Sequence, residues 1–115
     1  MTTKSEKQIV IEWLIDQFPN AFFSKSHLVR PLKLGIFEDI MDVYERLDDP
    51  PFSKKLLREA LNYYTVSKSY LACQKPKAVR LDLFGQPNGT VNEEQALYAQ
   101  KRYQERYVLE RQTSK

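Results

Sequence analysis

The side chains best equipped to do chemistry in this sequence are cations and tyrosines, and they are crowded together. From Ser53 to Arg80 there are seven basic residues (Lys54, Lys55, Arg58, Lys68, Lys75, Lys77 and Arg80) against one acid, Glu59, with Tyr63, Tyr64 and Tyr70 among them. That stretch carries a formal charge of +6, whereas residues 1–52 carry −3 and residues 81–115 carry zero, so the modest net charge of +3 hides an uneven field. Cations interleaved with aromatics suit a polyanion, because the charges attract phosphate and the rings can stack on bases. The plain alternative is a lysine-rich helix face turned to water.

Other chemistries are poorly supplied. There is no Gly-rich phosphate loop, no nucleophile elbow and no His–carboxylate spacing for a metal. The single histidine, His27, is too little for acid–base catalysis, and the single cysteine, Cys73, can form neither an internal disulfide nor a zinc set with it. Lys75 stands near Cys73, but with no base beside it the thiol reads as a small buried hydrophobe. Glu38, Asp39, Asp42 and Glu45 read as the solvated side of a helix. The expectation is a non-enzymatic binding protein with no cofactor and no metal.

The elements that would position the basic stretch are mostly helical. In a chain of 115 residues, 42% hydrophobic and with three glycines, one domain is expected, its core spanning about residues 5–110. Val10, Trp13, Leu14 and Phe18 repeat at helical spacing, with Ser5 as cap and Pro19 as stop. Phe22 and Phe23 follow in a loop and should plug the core. Pro31 holds Arg30–Gly35 extended. A second helix places Ile36, Phe37, Ile40, Met41, Tyr44 and Leu47 on one face, and Asp49-Pro50-Pro51 ends that segment. Ser53 caps a third helix, in which Leu56, Leu57, Ala60, Leu61 and Tyr64 face inward while Lys54, Arg58 and Asn62 face outward. A short fourth helix covers Ser67 to Cys73. Ala78–Leu83 alternates like a half-buried strand, Gly85–Gly89 supplies turn chemistry, and Thr90-Val91 returns as a brief second strand. Asn92 caps the last helix, with Ala96, Ala99, Tyr103 and Tyr107 inward, and Gln112–Lys115 fray. The fold class is therefore α+β, mostly α-helical, with about five helices and a small β-hairpin before the C-terminal helix.

No apolar run approaches the roughly 18–20 residues that cross a bilayer, and Met1–Lys7 is polar, so a cytoplasmic location is expected. Without a heptad seam a monomer is expected. Two more specific classes stay open at this point. Short breaks between helices, at Asp48–Phe52 and Thr65–Ser67, allow a helix-turn-helix DNA reader, although Arg58 and Asn62 beside two lysines suit phosphate better than base edges. A protein-interaction module could use the acidic second helix.

Three groups of residues carry a resemblance. They are Phe18-Pro19-x-x-Phe22 with Arg30-Pro31-Leu32-Lys33-Leu34-Gly35-Ile36-Phe37-x-Asp39; Ser53-Lys54-x-x-Leu57-Arg58-x-Ala60-Leu61-x-x-Tyr64; and Tyr70-Leu71 with Lys75-Pro76-x-Ala78-x-Arg80-x-Asp82-Leu83-x-Gly85-x-Pro87-x-Gly89. Over roughly residues 7–105 and in one order, these resemble the ProQ/FinO family of bacterial RNA-binding proteins. The resemblance implies a helical domain with a small hairpin. It also implies an RNA chaperone that binds structured RNA: terminator stem-loops with single-stranded 3′ ends, in small RNAs and mRNAs. By position, Arg30 and Lys33 match basic family residues in the Arg-Pro-Leu-Lys segment, Lys54 and Arg58 match the basic third helix, and Tyr70 and Arg80 match a pair associated with the RNA 3′ end. Some relatives carry further basic residues at Asn62 and Ser69, and longer ones add a charged linker and a second domain, so a stand-alone minimal member is expected. With the free amides at the Ser53 helix start and the lysines Lys75 and Lys101, the expected RNA contacts are Arg30, Lys33, Ser53, Lys54, Arg58, Tyr70, Lys75, Arg80 and Lys101. Ser53, Tyr70 and Arg80 are expected to share one pocket.

Overall fold

Residues 5–109 are described by the structure, a computed structural model. Helix α1 (Glu6–Gln17) begins where the Ser5 hydroxyl accepts from the Gln8 N–H and the Gln8 side chain accepts in return from the Ser5 N–H. This reciprocal pair satisfies two helix-start donors at once. Val10, Leu14 and Phe18 are buried, and Trp13 meets Phe18 and Phe52 edge-on. Phe22 is fully buried and Phe23 half-buried, as expected of a core plug. After a 3₁₀ turn at Ser26–Leu28, the chain runs extended through Pro31 and Leu32.

Helix α2 (Ile36–Tyr44) starts from Gly35, whose φ of 82° lies in the left-handed region that favours glycine. It ends at Tyr44, before Leu47, which follows in a turn whose N–H donates to the Tyr44 carbonyl. The Tyr44 hydroxyl donates to the Phe52 carbonyl and pins the proline-rich connection to α2. Helix α3 (Lys54–Thr65) is capped by the Ser53 hydroxyl, which accepts from the Leu56 N–H, and buries Leu57, Ala60, Leu61 and Tyr64. It packs along α1. Helix α4 (Lys68–Ala72), capped by Ser67, packs on α5 (Glu93–Tyr103), which is capped by Asn92.

Strands β1 (Val79–Leu81) and β2 (Pro87–Thr90) form an antiparallel hairpin, with Val79 opposite Thr90 and Leu81 opposite Pro87. Two expectations are corrected here. The turn lies earlier than Gly85–Gly89, because one Asp82 carboxylate oxygen accepts from both the Phe84 and Gln86 N–H groups, so Pro87-Asn88-Gly89 are free to be strand. Gly85 closes this turn at φ 79°, and a Cβ there would stand 2.7 Å from that of Asn20, so the hairpin tip docks tightly on the α1 exit loop. The expected alternation of 78–83 is inverted at its start, where Val79 is exposed and Arg80 is buried, and returns to phase at Leu83, which is buried.

The C-terminal helix continues beyond Tyr103 in π-helical form over Gln104–Leu109, and the Tyr107 hydroxyl donates to the Val66 carbonyl at 2.8 Å. Residues Gln112–Lys115 lie outside the described residues, as do Met1–Lys4. Among the described residues no helix is long and apolar enough to cross a membrane.

Candidate nucleic-acid interface

The site is built around one peptide unit. The extended segment bridges β1 on one side, where the Leu81 N–H donates to the Pro31 carbonyl and the Lys33 N–H to the Leu81 carbonyl. The backbone groups of the intervening Leu32 are taken by two side chains. Its N–H donates to the Tyr70 hydroxyl at 3.0 Å, and its carbonyl accepts from Arg80 Nη1 at 2.9 Å. Tyr70 and Arg80 therefore converge on Leu32, satisfying backbone groups of an extended segment that no further described strand covers. Buried backbone groups need such partners.

Arg80 is only 6% exposed. Its Nη2 donates to Gln95 Oε1 at 3.1 Å, while its buried Nε has no acceptor. Of five N–H groups, three thus lack a partner among the described residues. No described carboxylate forms an ion pair with it; Asp82, the nearest in sequence, is occupied by the hairpin turn. A buried guanidinium held only by neutral acceptors is an unbalanced charge, which is costly unless an anion arrives. It lines a cleft of about 470 Å³ with Tyr70, Gln74, Glu94, Gln95 and Tyr98.

Tyr70 is more deeply committed to the fold than a stacking platform should be. It is 8% exposed, its ring packs 5.9 Å from that of Tyr64, and its hydroxyl already accepts from Leu32. Burial raises the hydroxyl pKa, against the opposing effects of the Leu32 N–H and Arg80. Tyr70→Ala therefore removes part of the hydrophobic core and the acceptor of the Leu32 N–H.

Ser53 is at the other end of α3. Tyr64, at the C-terminal end, touches Tyr70, and Thr65 lines the Arg80 cleft. At about 1.5 Å rise per residue, Ser53 is roughly 18 Å away along the helix. One pocket does not hold all three, and the Ser53 hydroxyl is taken by the Leu56 N–H.

The remaining cations fall into separate groups. Lys54 is exposed and pairs with Glu45, the residue after α2, at 2.9 Å, and the Arg58 guanidinium lies 4.8 Å from the centre of the Phe37 ring. Lys33 pairs with Asp39 at 2.6 Å, and that hydrogen bond raises its pKa against partial desolvation. Arg30 and Lys75 line a different cleft, together with Lys68. Lys101 is exposed on α5. Of the three tyrosines in the basic stretch, only Tyr63 is open to solvent; Tyr64 is buried, its hydroxyl accepting from the Phe23 N–H.

Sequence reasoning missed Gln95, Tyr98 and Lys68. Gln95 carried a signal, since Asn92-x-x-Gln95 is a capping-box spacing, and its side-chain oxygen accepts from both Asn92 N–H and Arg80. Tyr98 had no such signal, because an exposed aromatic on a helix looks like any other surface residue.

Cys73 is half-buried, and burial pushes its thiol up to about 11, outweighing the opposite pull of Gln74, Arg30 and Arg80. Burial likewise lifts Tyr64 to about 12. Both groups are neutral when folded and ionise earlier when unfolded, so their stabilisation is complete below pH about 9 and is lost as pH rises toward their folded values. At pH 8 Cys73 should react with iodoacetamide at least about tenfold more slowly in the folded chain than in urea, following its smaller thiolate fraction. Equal rates would contradict the burial argument.

Fold and site together define a small, mostly helical domain whose cationic surface is cut by a cleft around a buried arginine. The family model described as ProQ/FINO matches residues 4–115, and the chain belongs to that family. A ProQ homologue from Legionella pneumophila, solved in solution by NMR, is 60% identical and superposes with a TM-score of 0.80 over 93% of this chain and 87% of its own. The crystal structure of a FinO-like RNA chaperone from Neisseria meningitidis is 20% identical, with a TM-score of 0.66 over 91% of this chain and 87% of its own, a likeness of fold.

Proposed function

We propose that the domain is an RNA chaperone that binds structured RNA, gripping the stem of an intrinsic terminator and receiving its free 3′ end in the Arg80 cleft. The observation that carries this reading is the buried Arg80 guanidinium, which forms no ion pair with a described residue and whose Nε has no acceptor among them. A terminal nucleotide brings the phosphate and ribose oxygens such a group lacks. Arginine suits this role because its donors are fixed in a plane, whereas a lysine offers a point charge. Glu94 in the wall of the same cleft disfavours surplus negative charge, which supports a terminal hydroxyl over a terminal phosphate. Family membership and the chaperone named among the structural neighbours support the same reading.

Lys54 and Arg58 on α3, with Lys33 beside them in this reading, supply the grip on the stem. A-form RNA hides its base edges in a deep, narrow groove, so a protein holds the duplex by phosphates and shape. Lys54 and Lys33 then exchange Glu45 and Asp39 for phosphate, keeping one anionic partner throughout. The DNA-reader alternative is poorly served by α4, which has five residues and buries Tyr70 and Leu71.

The experiment compares an RNA hairpin with a DNA hairpin of the same sequence across a salt series. The RNA should bind more tightly at physiological salt. Lys54→Ala with Arg58→Ala should weaken all RNA hairpins alike and reduce the slope of log K against log salt by about 1 to 2, as expected for one or two lost phosphate contacts. Equal affinity for the DNA hairpin would overturn the RNA assignment, and an unchanged salt slope would remove the α3 face from the interface.

A further inference from the structure

A second cleft, of about 580 Å³, lies between the 3₁₀ turn, α4 and the end of α5. His27, Arg30, Lys68, Lys75 and Tyr103 line it, and none of the described carboxylates does. Arg30 is held in place by one edge: its Nη1 donates to the His27 and Val29 carbonyls at 3.1 and 3.0 Å, which leaves its other nitrogens without a partner among the described residues. Lys68 and Lys75 are exposed, and neither forms an ion pair with a described residue. The Tyr103 ring packs 5.6 Å from that of Tyr107, whose hydroxyl is tied to Val66, so the aromatic wall is anchored.

This cleft shares no lining residue with the one around Arg80. Helix α4 and its exit lie between the two: Tyr70, Leu71 and Gln74 face the Arg80 cleft, while Lys68, Ser69, Ala72 and Cys73 face the basic one. The groove between α4 and α5, lined by Leu71, Ala72, Gln74, Lys75 and Tyr103, joins their edges. Its volume falls within the roughly 300–1,000 Å³ of small-ligand sites, which suits a nucleotide or two. Three cations around one aromatic ring match unpaired nucleotides, with phosphates on the cations and a base on the ring.

We propose that this cleft is a second RNA site, which takes a short unpaired segment while the Arg80 cleft and α3 hold a hairpin. The proposal rests on the RNA reading above and extends it, for two separate sites let one domain hold two RNAs side by side. The test uses the full chain saturated with a terminator hairpin bearing a 3′ hydroxyl. The probe is a labelled eight-nucleotide oligouridine closed by a 3′ phosphate, which disfavours its entry into the Arg80 cleft.

The oligonucleotide should bind the saturated complex, giving a ternary species. With the hairpin raised to saturation for each variant, Arg30→Ala/Lys68→Ala/Lys75→Ala should weaken that second binding at least tenfold. Lys7→Ala/Arg46→Ala/Lys55→Ala, with the same charge loss elsewhere, should leave the ternary species in place. Displacement of the oligonucleotide by the hairpin, or an equal loss in the charge-matched variant, overturns the second site while the hairpin reading stands. A wild-type chain that fails to bind the hairpin fails the RNA reading itself, and the second site falls with it.

Discussion

Arg80→Met should weaken binding of a terminator hairpin with a free 3′ hydroxyl by roughly 30- to 150-fold, the ~2–3 kcal/mol expected when charge-assisted hydrogen bonds are lost from a desolvated site. Methionine keeps much of the apolar stem and removes every donor. Its effect on the unbound fold is smaller because two changes oppose each other. The Leu32 carbonyl and Gln95 Oε1 lose their donor, but an unbalanced buried charge also disappears. Arg80→Lys should fall between wild type and methionine, since an ammonium keeps the charge yet cannot reproduce the planar reach to both acceptors. Fluorescence anisotropy with labelled hairpin reads the affinity, and a circular dichroism melt reads the fold. Wild-type affinity in Arg80→Met would remove this arginine from the RNA site.

Tyr70→Ala should destabilise the domain by about 3–5 kcal/mol, the usual cost of deleting a buried aromatic ring. The ring belongs to the main hydrophobic cluster, against Tyr64, and its hydroxyl satisfies the Leu32 N–H. Tyr70→Phe keeps the packing and strands that one N–H, which costs ~1–3 kcal/mol. A domain of this size shifts by roughly 4–8 °C per kcal/mol, so Tyr70→Phe should melt at least about 4 °C below wild type. Thermal melts of the two variants separate packing from hydrogen bonding. A wild-type melting temperature in Tyr70→Phe would show that the Leu32 bond carries no weight. Loss of RNA binding in Tyr70→Ala is informative only where the melt shows folded protein.

The helix starts were legible in the sequence because capping is local chemistry. Ser5, Ser53, Ser67 and Asn92 each accept from a backbone N–H three residues on, within one turn of themselves. The inward stripes of α1 and α3 were legible for the same reason of short period. The hairpin was legible as an element but misplaced, since Pro87-Asn88-Gly89 looks like a turn until the Asp82 carboxylate takes that role. The inversion at Val79 and Arg80 has no local signal at all. It depends on acceptors at Leu32 and Gln95, which lie 48 and 15 residues from Arg80. The pairing of Tyr70 with Arg80 came from family resemblance, and its physical basis, the uncovered edge of Leu32, needed the fold. Ser53 was grouped with them because a helix start suits phosphate, but the length of α3 separates it from their cleft.

The central claim, that the Arg80 cleft receives a free RNA 3′ end, is tested most directly by changing only that end. One terminator hairpin is prepared with a 3′ hydroxyl, with a 3′ phosphate, and with a lengthened tail closed into a circle, and each is titrated against the wild-type chain. The hydroxyl form should bind most tightly. The phosphate form should bind more weakly, because it adds charge and bulk beside Glu94, and the circle should lose the contribution of Arg80, so that Arg80→Met no longer changes its affinity. Equal binding of all three RNAs by the wild type would contradict the claim and return Tyr70 and Arg80 to holding Leu32.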